Sequence, residues 1–318
     1  MRDVTETASG ADAAEAISER PMPVPAAQFV IAGAGLGLFF GLLLIFFDLS
    51  AWPSLVRGLD TSGSFVLWVA LIAFETMLWT LATPFVVAIF RRHWRGSARA
   101  RREAMPAAVM LALIAVGLTV GANFSHRVRY PLPHYALKVA VLNMLLWLVL
   151  FSTSLTIWLI RDRLRALASA KPTAQTLRVY LRMRADLEWL LIYLVAVITV
   201  SLLGLAARRQ FIVDLGQQAL PPPASAIVLN GLLLSLLVAL AYVPTFATLQ
   251  QTGAALRESI EPLPDPSDER FENRLAKRQA IDKLLGLSVS ASLSFRVAVT
   301  ILSPLLGSLL SLLPKLGS

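Results

Sequence analysis

Cysteine is absent from this chain, which excludes disulfides, thiolate nucleophiles and Cys-built zinc or iron–sulfur centres. Histidine is scarce: His93, His126 and His134 are the three present, and all fall in expected loops, which argues against a haem held by axial ligands inside a bundle. Missing too are an HExxH helix, a GxSxG elbow, a Gly-rich phosphate loop and an aspartate pair on adjacent spans. The expectation is a protein that is not an enzyme and carries no metal or cofactor. Charge is also thin, at 15% of residues against 56% hydrophobic, and the mean hydropathy of +0.66 is too high for an ordinary soluble domain.

What is present in place of charge is a series of apolar runs. A hydrocarbon core of about 30 Å needs roughly 20 apolar residues to cross as a helix. Six runs qualify: Gln28 to Phe47, Ser64 to Phe90, Met105 to Phe124, Leu137 to Ile160, Leu187 to Ala207 and Ala226 to Phe246. Lipid offers no partner to a free backbone N–H or C=O, so each run must be helical. The expected fold class is all-α, a polytopic transmembrane helical bundle of about six spans with a cytoplasmic or interfacial C-terminal helical region. The expected division is a disordered tail over 1–27, a six-span domain over 28–246 and an appendage over 247–318.

The net charge of +9 is distributed unevenly. Arg91, Arg92, Arg95, Arg99, Arg101 and Arg102 follow the second run. Arg161, Arg163, Arg165, Lys171, Arg178, Arg182 and Arg184 lie between the fourth and fifth. The other loops hold fewer cations, so the positive-inside rule orients both termini to the cytoplasm of a multi-pass protein of the cell (inner) membrane. Trp52, Trp94, Trp158 and Trp189 fall near expected span ends, where interfacial anchors belong. The acidic, Ala-rich N-terminal stretch has no cationic segment directly ahead of an apolar one and does not read as a signal peptide.

The segment from Thr173 into the fifth run has no Gly or Pro and should be one helix projecting beyond the membrane. Beyond Phe246, the EPLPDPSDE stretch marks a break. Asp265 or Ser267 is then available to cap an amphipathic helix through ERFENRLAKRQAIDKLLGL, whose region 268–287 offers a surface for a protein partner. The last apolar stretch, Leu284 to Leu313, contains Arg296 and Pro304. An arginine near the middle of a lipid-facing helix costs about 2.5–3.5 kcal/mol, so docking or interfacial placement is expected over a seventh span.

Few polar residues enter the runs. Glu75 is the acidic residue deep inside a span, a functional-site candidate by default, with Arg296 as a possible charge partner and a neutral hydrogen-bonded carboxyl as the bland alternative. Asn143 and Asn230 lie at expected membrane depth as helix glue or pathway lining. Ser152, Thr153, Ser154 and Thr156 should bond their own helix backbone. Gly33, Gly37 and Gly41, with Gly117 and Gly121, form small-residue ridges for helix packing or for an oligomer interface. Arg91, Arg92, Arg95, Arg178, Arg182 and Arg184 could converge on an anionic ligand or on lipid head groups, the alternative being that they serve topology alone.

Three functional classes are compatible with this pattern. An oligomeric channel or pore, gated by an anionic nucleotide or nucleic-acid ligand as in a defence effector, needs few intramembrane carboxylates. A secondary transporter would show paired half-repeats and broken helices, and Pro84 and Pro244 lie towards span ends instead. A non-catalytic membrane subunit would recruit its partner through 268–287. The channel is the expected class, with lipid and further copies of the chain as its partners.

Overall fold

The computed structural model describes residues 27–46, 63–94, 135–214, 224–265, 267 and 270–287. All regular structure among them is α-helical: α1 Ala27–Phe46, α2 Gly63–Trp94, α3 Tyr135–Ala168, α4 Ala174–Asp214, α5 Ala224–Ile260 and α6 Phe271–Leu285. Four of these, α2 to α5, are long and apolar enough to cross a membrane. The expected span Met105 to Phe124, with Gly117 and Gly121, lies outside the described residues, as do Arg95, Trp52 and Arg296.

The helices outrun the apolar sequence. At about 1.5 Å per residue, the 41 residues of α4 extend roughly 60 Å, twice the hydrocarbon thickness. Continuing the helix past the apolar run keeps each backbone bond satisfied. The charged turns then pair along the surface, as Arg184 Nε does with Glu188 Oε1 at 2.9 Å. Thr173 starts α4, its Oγ1 accepting the Thr176 N–H at 3.1 Å in the manner of a helix cap. Pro84 and Pro244 sit inside helices that run on unbroken. Beside each proline a threonine hydroxyl donates to a nearby carbonyl, Thr83 to Trp79 at 2.6 Å and Thr245 to Ala241 at 3.1 Å.

α4 is the central element: 61% of its most apolar window is buried, against 28% for α3. Leu187, Leu190, Leu194, Val197 and Ile198 have no exposure at all. Between Asp186 and Phe211 the partner of α4 is α2, running antiparallel. Phe65 meets Phe211 with ring centroids 4.8 Å apart, Glu75 meets Ser201, Phe85 meets Trp189 at 5.4 Å, and Arg92 meets Asp186. Trp189, expected as an interfacial anchor, is thus drawn into an internal aromatic contact and also stacks on Tyr193.

α3 and α5 lie parallel to each other. The hydroxyls of Thr245 and Thr252, two turns apart, donate to Ile157 O and Leu164 O, which are also two turns apart, at 3.5 and 3.1 Å. The Ser/Thr cluster on α3 behaves as expected in part. Ser152 and Thr156 bond Val149 O and Ser152 O, whereas the buried hydroxyls of Thr153 and Ser154 have no partner among the described residues.

α1 packs against α2 through its glycine ridge. Thr80 Oγ1 donates across the contact to Gly33 O at 2.8 Å, and a Cβ built on Gly37 would meet Thr80 Oγ1 and stand 2.7 Å from Met77 Cα. At the far end Lys138 Nζ donates to Ile45 O at 2.8 Å, placing a cation on a helix C-terminus. Replacing Gly37 with leucine should therefore lower the stability of the purified full chain in detergent by roughly 1–3 kcal/mol, through overpacking. Gly35→Ala, whose added Cβ meets nothing within 4 Å, serves as the control in the same thermal unfolding measurement. Equal midpoints for the two variants would contradict the close α1–α2 approach.

Candidate functional site

Glu75 lies about 18 Å along α2 from its start, near the middle of the apolar stretch. The residue is 7% exposed, and its carboxyl faces α4 and accepts a hydrogen bond from Ser201 Oγ. The serine hydroxyl supplies a polar partner where lipid supplies none. Neither Asn143 nor Asn230 shares a hydrogen bond with this carboxyl among the described residues. Asn143 is half-buried on α3, and Asn230 is exposed on the outward side of α5 within its first two turns. The sequence shows both as polar insertions in apolar runs but not which way they face.

Seventeen residues further along α2 lies its basic end, where α2 and α3 finish and α4 begins. Arg92 Nη1 donates to Asp186 Oδ2 at 2.8 Å, and His93 Nε2 lies 3.2 Å from the same oxygen. His93, expected in a loop, is in the last turn of α2 and only 2% exposed, because the helix runs past the apolar sequence and turns the ring inward. Arg163 of α3 is close enough to both Arg92 and His93 for their charges to interact, and Arg182 of α4 is similarly close to Arg92 and Asp186. Arg92 and Arg182 thus share one carboxylate, with Arg163 close to Arg92 and His93. The Nη1 of Arg163 and the Nδ1 of His93 are buried without a hydrogen-bond partner among the described residues.

The expected basic constellation divides as a result. Arg92 and Arg182 converge, Arg91 and Arg178 are exposed, and Arg184 turns the other way to bond Glu188. The sequence reading missed Asp186, His93, Arg163 and Ser201. Asp186 does leave a trace, as an acidic residue one turn after Arg182 in an otherwise basic stretch.

The C-terminal region 268–287 forms the second candidate surface. Its helix α6 begins at Phe271 after Arg270 with no side-chain cap, whereas Asp265 and Ser267, expected as caps, bond each other in a local turn, Ser267 Oγ to Asp265 Oδ1 at 2.8 Å. One face of α6 is held against the projecting end of α5. Arg278 reaches Glu258 at 2.6 Å and Glu261 O at 2.9 Å, Arg274 and Lys277 reach the Glu261 carboxylate at 2.9 and 2.8 Å, and Asp282 pairs with Arg257 at 3.0 Å. The Tyr180 hydroxyl of α4, fully buried, lies 3.3 Å from both Leu249 O of α5 and Leu285 O of α6. Gly286 ends α6 with φ 67°, and its bare Cα lies under the Arg184 guanidinium, so a side chain there would be both strained and obstructed. The opposite face, with Glu272, Asn273, Gln279 and Lys283, remains exposed.

Comparisons with protein-family models, with curated proteins and with solved structures found no match.

Removing the Asp186 carboxylate leaves Arg92 and His93 facing each other without an acceptor. Asp186→Ala should destabilise the chain by roughly 3 kcal/mol, read as a lowered unfolding midpoint, and an unchanged midpoint would contradict the role given to the pair. The α6 contact should respond to acid. Lys277 and Arg274 hold the Glu261 carboxyl below its ordinary range. A carboxyl lowered by folding contributes stability above its unfolded value of about 4.3, and this stability is lost as the pH falls through the folded value. Exchange protection of α6, corrected for the intrinsic rate, should be full at neutral pH and fall below about pH 4, with Glu261→Gln flattening the response.

Proposed function

We propose that the chain is the subunit of a homo-oligomeric, ion-conducting protein of the cell membrane, with six spans, both termini in the cytoplasm, and gating by an anionic ligand at the basic end. The observation that carries this reading is the seam between α2 and α4. The same two helices hold the mid-depth Glu75–Ser201 contact and, at one end, the Arg92–Asp186 contact within an excess of arginine. An event at the arginines therefore acts on helices that bear the intramembrane carboxylate. A carboxyl at that depth is a group that an ion or proton can use.

Several features support the finer points. Arg92 and Arg163 come together at the ends of α2 and α3, so these two helices run in the same direction, and the sequence between them includes the apolar run Met105 to Phe124. Together with α1, whose 20 residues make a helix about 30 Å long, this run supports a count of six. The concentration of arginine at one end fits the cytoplasmic side. The α2–α4 seam is closely packed, which favours a path between copies over one through a single bundle. The outward amide of Asn230 is a group that a neighbouring copy would pair in lipid. Continuous helices through Pro84 and Pro244 lack the interruption a transporter would use, and the exposed face of α6 leaves the partner-recruiting role as an addition to the channel rather than a rival to it.

The test is ion flux in proteoliposomes containing the full chain, with subunit number measured by mass in detergent. Glu75→Gln should lower flux about tenfold, with Ser201→Ala affecting it less, and the protein should migrate as an oligomer. Unchanged flux in Glu75→Gln, or a strictly monomeric protein, would overturn the reading.

A further inference from the structure

The basic end is short of acceptors. Asp186 is the carboxylate shared by Arg92 and His93, and it is buried with 7% of its side chain exposed. Among the described residues Arg163 has no carboxylate partner and its buried Nη1 has no hydrogen bond, while the like charge of Arg92 stands within range. Arg182, which has a polar contact of its own, adds a further positive charge close to Arg92 and Asp186. Buried polar groups are almost always satisfied, so the Arg163 Nη1 and His93 Nδ1 nitrogens, which lack partners among the described residues, are open to an acceptor from outside them.

The chemistry of that acceptor is constrained. It should be anionic, because three arginines from three helices stand close together with one carboxylate among them, and several oxygens in a small volume would serve more than one guanidinium at once. A tetrahedral phosphate meets both conditions. The depth fits as well: Arg92 lies roughly 25 Å along α2 from Glu75, beyond the hydrocarbon half-thickness and at the level of head groups.

We propose that Arg92 and Arg163, with His93 behind them and Arg182 at the rim, form a binding site for a phosphate group carried by a soluble anion or by a lipid head group. In it, Arg163 donates through the nitrogen now unbonded, and Arg92 is shared between the phosphate and Asp186. The site deepens the proposed gating by naming the chemistry of its ligand, and it depends on that reading only for the coupling to flux.

The experiment uses the full chain in nanodiscs. One arm titrates inorganic pyrophosphate into phosphatidylcholine discs, and the other replaces part of the phosphatidylcholine with phosphatidic acid. Thermal midpoint and intrinsic tryptophan fluorescence report binding. Stabilisation by pyrophosphate assigns the site to a soluble phosphate, and stabilisation by phosphatidic acid alone assigns it to a lipid head group. Arg163→Gln should weaken the effective response roughly tenfold or more. Arg163→Lys, which keeps the charge and loses the fork, should fall between that variant and the wild type, and exposed Lys171→Gln should match the wild type. No stabilisation in either arm would overturn the site, as would a full response in Arg163→Gln. Because Arg163→Lys preserves the charge, its response also decides the matter if the glutamine variant does not fold. Binding with no change in flux would leave the phosphate site standing and remove the gating alone.

Discussion

The antiparallel contact between α2 and α4 is the constraint on which the other helices depend. Its two partners carry polar groups at intervals along their contact, and three of them find a counterpart on the other helix: Glu75 on Ser201, Arg92 and His93 on Asp186. Unpaired, any of these would be costly to bury. The aromatic contacts between them, Phe65 with Phe211 and Phe85 with Trp189, hold the same register. A slide of one helix along the other by a turn would separate all four contacts together. The seam therefore has a defined register where uniform leucine packing would have allowed several.

The remaining helices attach to this pair by different means. α1 attaches through absent side chains, its glycines admitting Thr76 and Thr80 of α2 close to the backbone. α5 attaches to α3 through hydroxyls that reach foreign carbonyls, Thr245 to Ile157 and Thr252 to Leu164. α6 is the exception, because it is polar and meets α5 beyond the apolar run through ion pairs. Water is accessible there, and the same contacts would be far more costly at mid-membrane.

Much of this architecture could be read from sequence because lipid imposes a single solution on a long apolar run. The helical class and the approximate positions of α1 to α5 follow from hydropathy, and the continuous helix into the fifth run follows from its lack of Gly and Pro. What hydropathy could not supply is rotation about each helix axis. Glu75 was conspicuous in an apolar stretch, but Ser201 is an ordinary residue until α4 turns it towards that carboxyl. The arginines were counted correctly as a group, yet their division into Arg92 and Arg182 on one side and Arg184 on the other depends on which face of α4 meets α2. His93 looks like a loop residue in the sequence because the apolar run stops before the helix does.

That division on α4 also links the two regions at the basic end. Within a few turns, the helix presents Arg182 and Asp186 to the cluster shared with α2 and α3, and Tyr180 and Arg184 to the α5–α6 contact, where Arg184 lies over Gly286. A helical segment is stiff over this distance and cannot rotate at one turn while staying fixed at the next. If a phosphate drew Arg182 or loosened Arg92 from Asp186, the rotation that followed would move Tyr180 against the carbonyls of Leu249 and Leu285. The α6 contact and the arginine cluster are therefore both set by the orientation of one helix.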